Sequence, residues 1–153
     1  MSGISVRRAN EADIASMHRI RLAVRENALS APSRMGEDDY LPFLKTRGRT
    51  WVAEARGRVA GFAALDFDSA SLWALFVDPG MEARGVGSRL LDLVETYARR
   101  VGLARIGLST GPGTRAEKFY ERRGWRRCGL DGSGEIVFEL KLATPNQATA
   151  GDS

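Results

Sequence analysis

A domain mixing α-helices and β-strands is predicted for this chain, on three observations. Apolar alternation of period two and apolar recurrence of helical period take turns along the sequence. The stretch VDPGMEARGVGSRLLDLVETYARR, beginning at Val77, passes from a strand through a glycine-rich turn into an amphipathic helix. A length of 153 residues, with 43% hydrophobic and 27% charged residues, fits one ordinary domain with a real core.

The elements follow in order. ISVRRA alternates and reads as a first strand. Asn10 or Asp13 can cap a helix running to about Ala28, with Ile14, Met17, Ile20 and Val24 on one face. LSAPSRMGEDD is a loop, and residues 37–45 read as a short second helix that Pro42 weakens. TWVAEAR and RVAGFAALDF flank Gly57 and read as a hairpin. ASLWALFV is apolar throughout, as a central strand should be. The third helix spans about Gly85 to Arg100 with Val86, Leu90, Leu91, Val94 and Tyr97 inward. RIGLST is a strand, and TRAEKFYERR is a helix stopped by Gly124. WRRCGL and EIVFELKL are strands joined by a tight turn at DGSG. The count is six to seven strands and about four helices. One domain is expected over 1–142, with a small, polar, disordered tail at 143–153.

Composition narrows the function. No apolar run approaches the ~20 residues of a membrane span, and the N-terminus has no apolar signal core. The single cysteine, Cys128, cannot close an intramolecular disulfide, so a cytoplasmic location is expected. The net charge is +4, but the arginines are scattered in short clusters. A nucleic-acid footprint concentrates on one face, so a small polyanionic ligand fits the charge better than a nucleic acid. No His/Cys cluster has metal-ligand spacing, and no metal is expected.

The glycine-rich stretch carries the chemistry. The first turn of a helix has backbone N–H groups without intrahelical partners, which with the helix dipole form an anion site. Gly85 and Gly87 lack a Cβ and allow a phosphate close to the backbone, Ser88 adds a hydroxyl, and Arg84 and Arg89 can reach outlying phosphates. An ordinary helix start with permissive glycines gives the same local pattern. A Walker loop requires Gly-Lys-Ser/Thr, which is absent, and the dinucleotide fingerprint requires a third glycine where this chain has Leu90.

Two motifs make the resemblance specific. LWALFVDPGMEARGVGSRLLDLVE resembles the acetyl-CoA-binding motif of the GNAT superfamily of N-acetyltransferases, with its Arg/Gln-x-x-Gly-x-Gly/Ala pattern. RAEKFYERRGWR resembles that superfamily's later helix, and the element order matches over about residues 4–142. The resemblance implies a mixed, mostly antiparallel sheet splayed between strands four and five, with acetyl-CoA as cosubstrate. Two positions depart from it. Glu82 stands where Arg or Gln is usual, and Gly113 stands where Asn is frequent.

The resemblance also implies roles. Leu75, Phe76 and Val77 would meet the pantetheine by main chain, and Glu82, Ala83, Arg84, Gly85, Val86, Gly87, Ser88 and Arg89 would form the pyrophosphate loop. Thr110, Phe119 and Tyr120 would complete the cofactor site. By spacing alone Tyr120 reads as an aromatic packing residue on an apolar helix face; the resemblance places it at the family's general-acid tyrosine. Asp66 and Glu26 are the candidate bases, and a bound water can replace both. Asn27, Trp73 and Ser109, with Ser30 and Tyr40, are plausible walls for the acceptor, a small-molecule or peptide amine. The expected activity is N-acetyl transfer by direct amine attack; the alternative is a catalytically silent acyl-CoA-binding module. A homodimer through the edge of EIVFELKL is a further expectation.

Overall fold

The computed structural model describes residues 3–25, 37–81 and 84–142. The chain divides into two compact units, residues 1–94 and 95–153.

In the first unit, strands β1 (Ile4–Arg8), β2 (Gly48–Ala55), β3 (Arg58–Asp66) and β4 (Ser71–Val77) form consecutive antiparallel pairs. The β2–β3 hairpin closes through Arg56 and Gly57, both at positive φ, as a two-residue loop matched to strand twist requires. Every residue of β3 after Arg58 is buried, so helices must cover both its faces. On one face, α1 (Ile14–Arg25) and α2 (Leu41–Lys45) bury Met17, Ile20, Tyr40, Phe43 and Leu44 with Val52, Phe62, Ala64 and Ala74. On the other, the start of α3 (Val86–Arg100) presses Val86 and Leu90 toward Gly61. A Cβ on Gly61 would lie 2.9 Å from Val86 Cγ1 and 2.9 Å from Phe76 O. The glycine is therefore what lets the helix approach the sheet.

Asn10, rather than Asp13, caps the start of the first helix: its side chain accepts from Ala12 N at 2.8 Å, and Asp13 Oδ2 accepts from Asn10 N at 2.8 Å. Asp13 is buried and takes two hydrogen bonds from the Arg7 guanidinium, at 2.9 and 2.8 Å. Those bonds, against the opposing effect of burial, hold its carboxyl below the usual range. Pro42 sits in the first turn of α2, where its missing N–H costs nothing, and a 3₁₀ turn over Glu37–Tyr40 precedes it.

In the second unit, β5 (Arg105–Thr110), β6 (Arg126–Leu130) and β7 (Ile136–Lys141) pair antiparallel with β7 in the middle. This corrects the expected edge. EIVFELKL pairs on both sides, so it offers no edge to a second copy. All five residues of β6 are exposed instead. Helix α4 (Arg115–Arg122) is capped by Thr114, whose hydroxyl accepts from Glu117 N at 3.2 Å while Glu117 Oε1 accepts from Gly113 N at 2.7 Å. On α3, Ala98 is fully buried and Tyr97 only half-buried, a shift from the predicted inward set.

Among the described residues, no helix is long and apolar enough to cross a membrane, and no group of three or more His, Cys, Asp or Glu could hold a metal.

Candidate functional site

The first unit builds a helix start suited to an anion. Two bulges shape its approach. On β3, Ala60 is the extra residue opposite β2, and its carbonyl accepts from Asp78 N at 2.8 Å. On β4, Trp73 is the extra residue opposite β3. After β4 the Asp78 carboxylate accepts from Gly80 N at 3.0 Å and pairs with Arg19 at 3.3 Å, tightening a 3₁₀ turn over Pro79–Met81. Glu82 and Ala83 lie outside the described residues. Gly85 then takes φ +83°, a left-handed conformation that disfavours any side chain, and its carbonyl accepts the first helical bond from Arg89 N at 3.0 Å. The N–H groups of Val86, Gly87 and Ser88 precede that bond and so lack partners within the helix. Val86 is buried, Gly87 and Ser88 are half-buried, and Arg84 and Gly85 are exposed. The arrangement of donors fits a phosphate. The Arg89 guanidinium does not point to it: Nη1 donates to Ile4 O of β1 at 2.9 Å.

Leu75, Phe76 and Val77 pair with Ala63, Phe62 and Gly61 and are all half-buried. Phe76 packs on Phe62 at a ring distance of 5.6 Å, with the Arg21 guanidinium 5.0 Å over its ring. Trp73 stacks on Phe43 at 3.9 Å and meets Tyr40 edge-on at 5.7 Å. His18 Nδ1 lies 3.2 Å from the Tyr40 hydroxyl. Asp66 closes the turn after β3. It accepts from Arg47 Nε and Nη2 at 3.1 and 3.0 Å, from Asp68 N at 3.0 Å and from Ser69 Oγ at 2.9 Å. Burial raises its carboxyl, but these four donors outweigh burial and hold it below its ordinary value. Glu26 and Asn27, with Ser30, lie outside the described residues.

In the second unit, Tyr120 is buried on α4 among Phe119, Trp125 and Phe138, at ring distances of 5.2, 5.4 and 6.0 Å. Burial pushes its phenol well above the usual range, with Arg123 opposing. The group is therefore held protonated at neutral pH. A buried carboxylate that sequence reasoning missed secures this corner. Glu95 of α3 accepts from Trp125 Nε1 at 3.1 Å and from Arg123 Nη2 at 3.3 Å. Its only sequence signal is its place beside Val94 on the helix's apolar stripe. Ser109 is exposed on β5, and the Asp131 carboxylate accepts from Ser133 Oγ and Glu135 N. Thr110 and Phe119 are half-buried.

Known proteins agree with this reading of the fold. A computed match to the acetyltransferase (GNAT) family covers residues 14–125. An uncharacterized N-acetyltransferase of Methanocaldococcus jannaschii is 30% identical over 98 residues, 56% of this chain and 43% of that protein. The chain thus spans less than half of that relative's length. Among solved structures, the ribosomal-protein-S18-alanine N-acetyltransferase of Escherichia coli is similar at TM-score 0.73 and 20% identity, over 91% of this chain and 94% of that one. The PaiA N-acetyltransferase of Thermoplasma acidophilum in complex with coenzyme A aligns at TM-score 0.73 and 16% identity, over 91% and 99%. A putative acetyltransferase of Salmonella typhimurium with acetyl-CoA aligns at 0.77 and 20%, over 92% and 94%. On that family match, which covers well over half of its length, the chain belongs to the acetyltransferase (GNAT) family.

Proposed function

We propose that this protein is an N-acetyltransferase that moves an acetyl group from acetyl-CoA to a primary amine by direct attack. The observation that carries the reading is the start of α3: a left-handed Gly85 followed by the N–H groups of Val86, Gly87 and Ser88, which have no partner within the helix. The family match runs across the boundary between the two units, which supports treating 1–142 as one catalytic domain.

In this reading the pyrophosphate takes the N–H groups at the α3 start, together with the Glu82–Ala83 backbone. The pantetheine runs along the main chain of Leu75, Phe76 and Val77. The amine nitrogen bonds to the acetyl carbon, the carbon–sulfur bond breaks, and the departing thiolate takes a proton from the Tyr120 hydroxyl. The proton lost by the amine goes to water or to Glu26. Asp66 is left out of that role, because four donors already occupy its carboxylate. Arg89 contributes by its backbone, since its guanidinium is engaged with β1. The location is taken as cytoplasmic, from the single cysteine.

A silent acyl-CoA-binding module is favoured by one observation, the absence of a free carboxylate at Asp66. Two measurements separate the readings. Coenzyme A should raise the melting temperature in either case. Consumption of acetyl-CoA with a panel of primary amines, following sequential kinetics, supports the transferase. A CoA-dependent shift without turnover of any amine leaves only the module, and no shift at all removes both.

A further inference from the structure

Among the described residues, the buried carboxylates are those of Asp13, Asp66 and Glu95. A buried carboxylate is costly unless donors meet its oxygens. Asp13 and Asp66 each take two bonds from an arginine, Arg7 and Arg47. Glu95 is served differently. Arg123 Nη2 reaches it at 3.3 Å, and the closer donor is a neutral one, the indole Nε1 of Trp125 at 3.1 Å. Trp125 is itself buried, so its indole N–H needs an acceptor, and Glu95 supplies it.

The end of α4 shows what that bond can control. Gly124 takes φ +88°, and its N–H donates to the Glu121 carbonyl at 3.1 Å. Trp125 N donates to the Tyr120 carbonyl at 3.0 Å. These two bonds form the closure in which a left-handed glycine stops a helix and the residue after it packs on the residue five positions earlier. Here those residues are Trp125 and Tyr120, with ring centroids 5.4 Å apart. The capping motif therefore seats the indole against the phenol, and Glu95 fixes the indole from α3.

The phenol has little else to direct it. Among the described residues no hydrogen bond is made by the Tyr120 hydroxyl, so its place follows from ring packing against Phe119, Trp125 and Phe138. Phe119 and Phe138 can only pack. Trp125 is the one of the three whose ring is held by a polar bond.

We propose that Glu95 is a positioning residue for acetyl transfer: it orients Trp125, and Trp125 orients the Tyr120 phenol toward the departing sulfur. This rests on the acyl-transfer reading above and adds to it the residue that aims its acid.

The test uses Glu95→Gln, which keeps an oxygen for the indole N–H, and Glu95→Leu, which offers none, the latter also combined with Tyr120→Phe. The rate of a single turnover, with enzyme in excess of acetyl-CoA, is measured with the fastest amine of a fixed panel of primary amines, well below each melting temperature. Coenzyme A affinity is measured alongside. Misplacing a reacting group by about 1 Å can cost about 10²-fold, so Glu95→Leu should slow the turnover by roughly 10- to 100-fold with coenzyme A affinity within about threefold of the parent. Glu95→Gln should recover most of that loss. In the Tyr120→Phe protein, Glu95→Leu should slow the turnover by less than about twofold, because no hydroxyl is left to aim. If Glu95→Leu does not fold, Trp125→Phe asks the same question from the other partner: it keeps an aromatic ring, removes the indole N–H and should reproduce the slowing. Parental turnover in these variants, an equal loss in the Tyr120→Phe protein, or a Glu95→Gln protein no faster than Glu95→Leu each overturns the proposal and leaves acyl transfer standing. A parent protein that turns over none of the amines removes the acyl-transfer reading and this proposal with it.

Discussion

Gly61→Ala tests the packing that sets the start of α3. The added Cβ would sit 2.9 Å from Phe76 O, 2.9 Å from Val86 Cγ1 and 3.3 Å from Leu90 Cδ1. The first neighbour is backbone in a paired strand and cannot rotate away. The second belongs to a buried β-branched side chain with a stiff χ1. Relief therefore comes from moving the helix outward by several tenths of an ångström. Overpacking of this kind costs about 1–3 kcal/mol, and replacing glycine returns about 0.4–1 kcal/mol through the unfolded chain. The net loss of about 0–2.6 kcal/mol centres near 1.3, or roughly 3–5 °C in Tm for a domain of this size. Gly107→Ala is the control, since its Cβ would meet Phe138 O at an ordinary 3.4 Å. Thermal melts of both, with and without coenzyme A, give the answer. Gly61→Ala should melt lower than Gly107→Ala and bind CoA more weakly, because the displaced turn carries the phosphate donors. A Gly61→Ala protein as stable as the parent, with unchanged CoA affinity, would refute the argument that this contact positions the loop.

Further outcomes follow from the same contacts. Gly87→Asp places a negative charge at the phosphate donors and should abolish the CoA-dependent thermal shift in a folded protein; a retained shift removes the pyrophosphate assignment. Tyr120→Phe should lower kcat by about 10²–10⁴-fold with CoA affinity little changed; near-full kcat with chemistry rate-limiting makes Tyr120 a packing residue. Asp13→Asn should cost about 1–2 kcal/mol at neutral pH, a figure kept low because Arg7 is 38% exposed. The folded Asp13 carboxyl is depressed, so its stabilisation is present above the unfolded value of roughly 3.9 and is lost as pH falls through the folded one. The acid slope of Tm below about pH 4 should therefore be shallower in Asp13→Asn, and an identical slope sinks the assignment.

The elements were legible in the sequence because period and punctuation agree. RIGLST is β5 without a residue's difference, and the Arg56-Gly57 turn falls where the two strand patterns meet. Three features depended on tertiary partners and could not be read from local pattern. EIVFELKL has the composition of an edge or a centre alike, and only the pairing with both β5 and β6 decides it. Arg89 lies beside the phosphate donors in sequence, yet its long side chain finds the Ile4 carbonyl instead. Asp66 reads as an available carboxylate until Arg47, distant in sequence, is seen to hold it. The glycine loop was legible for a partly different reason than first appears. Gly85 is required by its φ of +83°, whereas a Cβ there would meet nothing within 4 Å.

The two ends of the proposed chemistry are secured by opposite means. The phosphate end consists of backbone N–H groups, whose directions follow from where the helix begins. Its precision comes from a missing side chain, Gly61, and from a bulge that gives the Ala60 carbonyl to Asp78 N. The proton end is one hydroxyl on a helix of eight residues, too short to hold itself in place. Its support is a buried carboxylate, Glu95, which grips Trp125 and Arg123 immediately after Tyr120, with Trp125 N donating to Tyr120 O at 3.0 Å. Additions of volume should therefore damage the first end and leave the chemistry of the second intact. Removal of a polar partner should do the reverse, because losing the Glu95 carboxylate would leave the buried Trp125 indole N–H without its acceptor in the corner that holds the phenol.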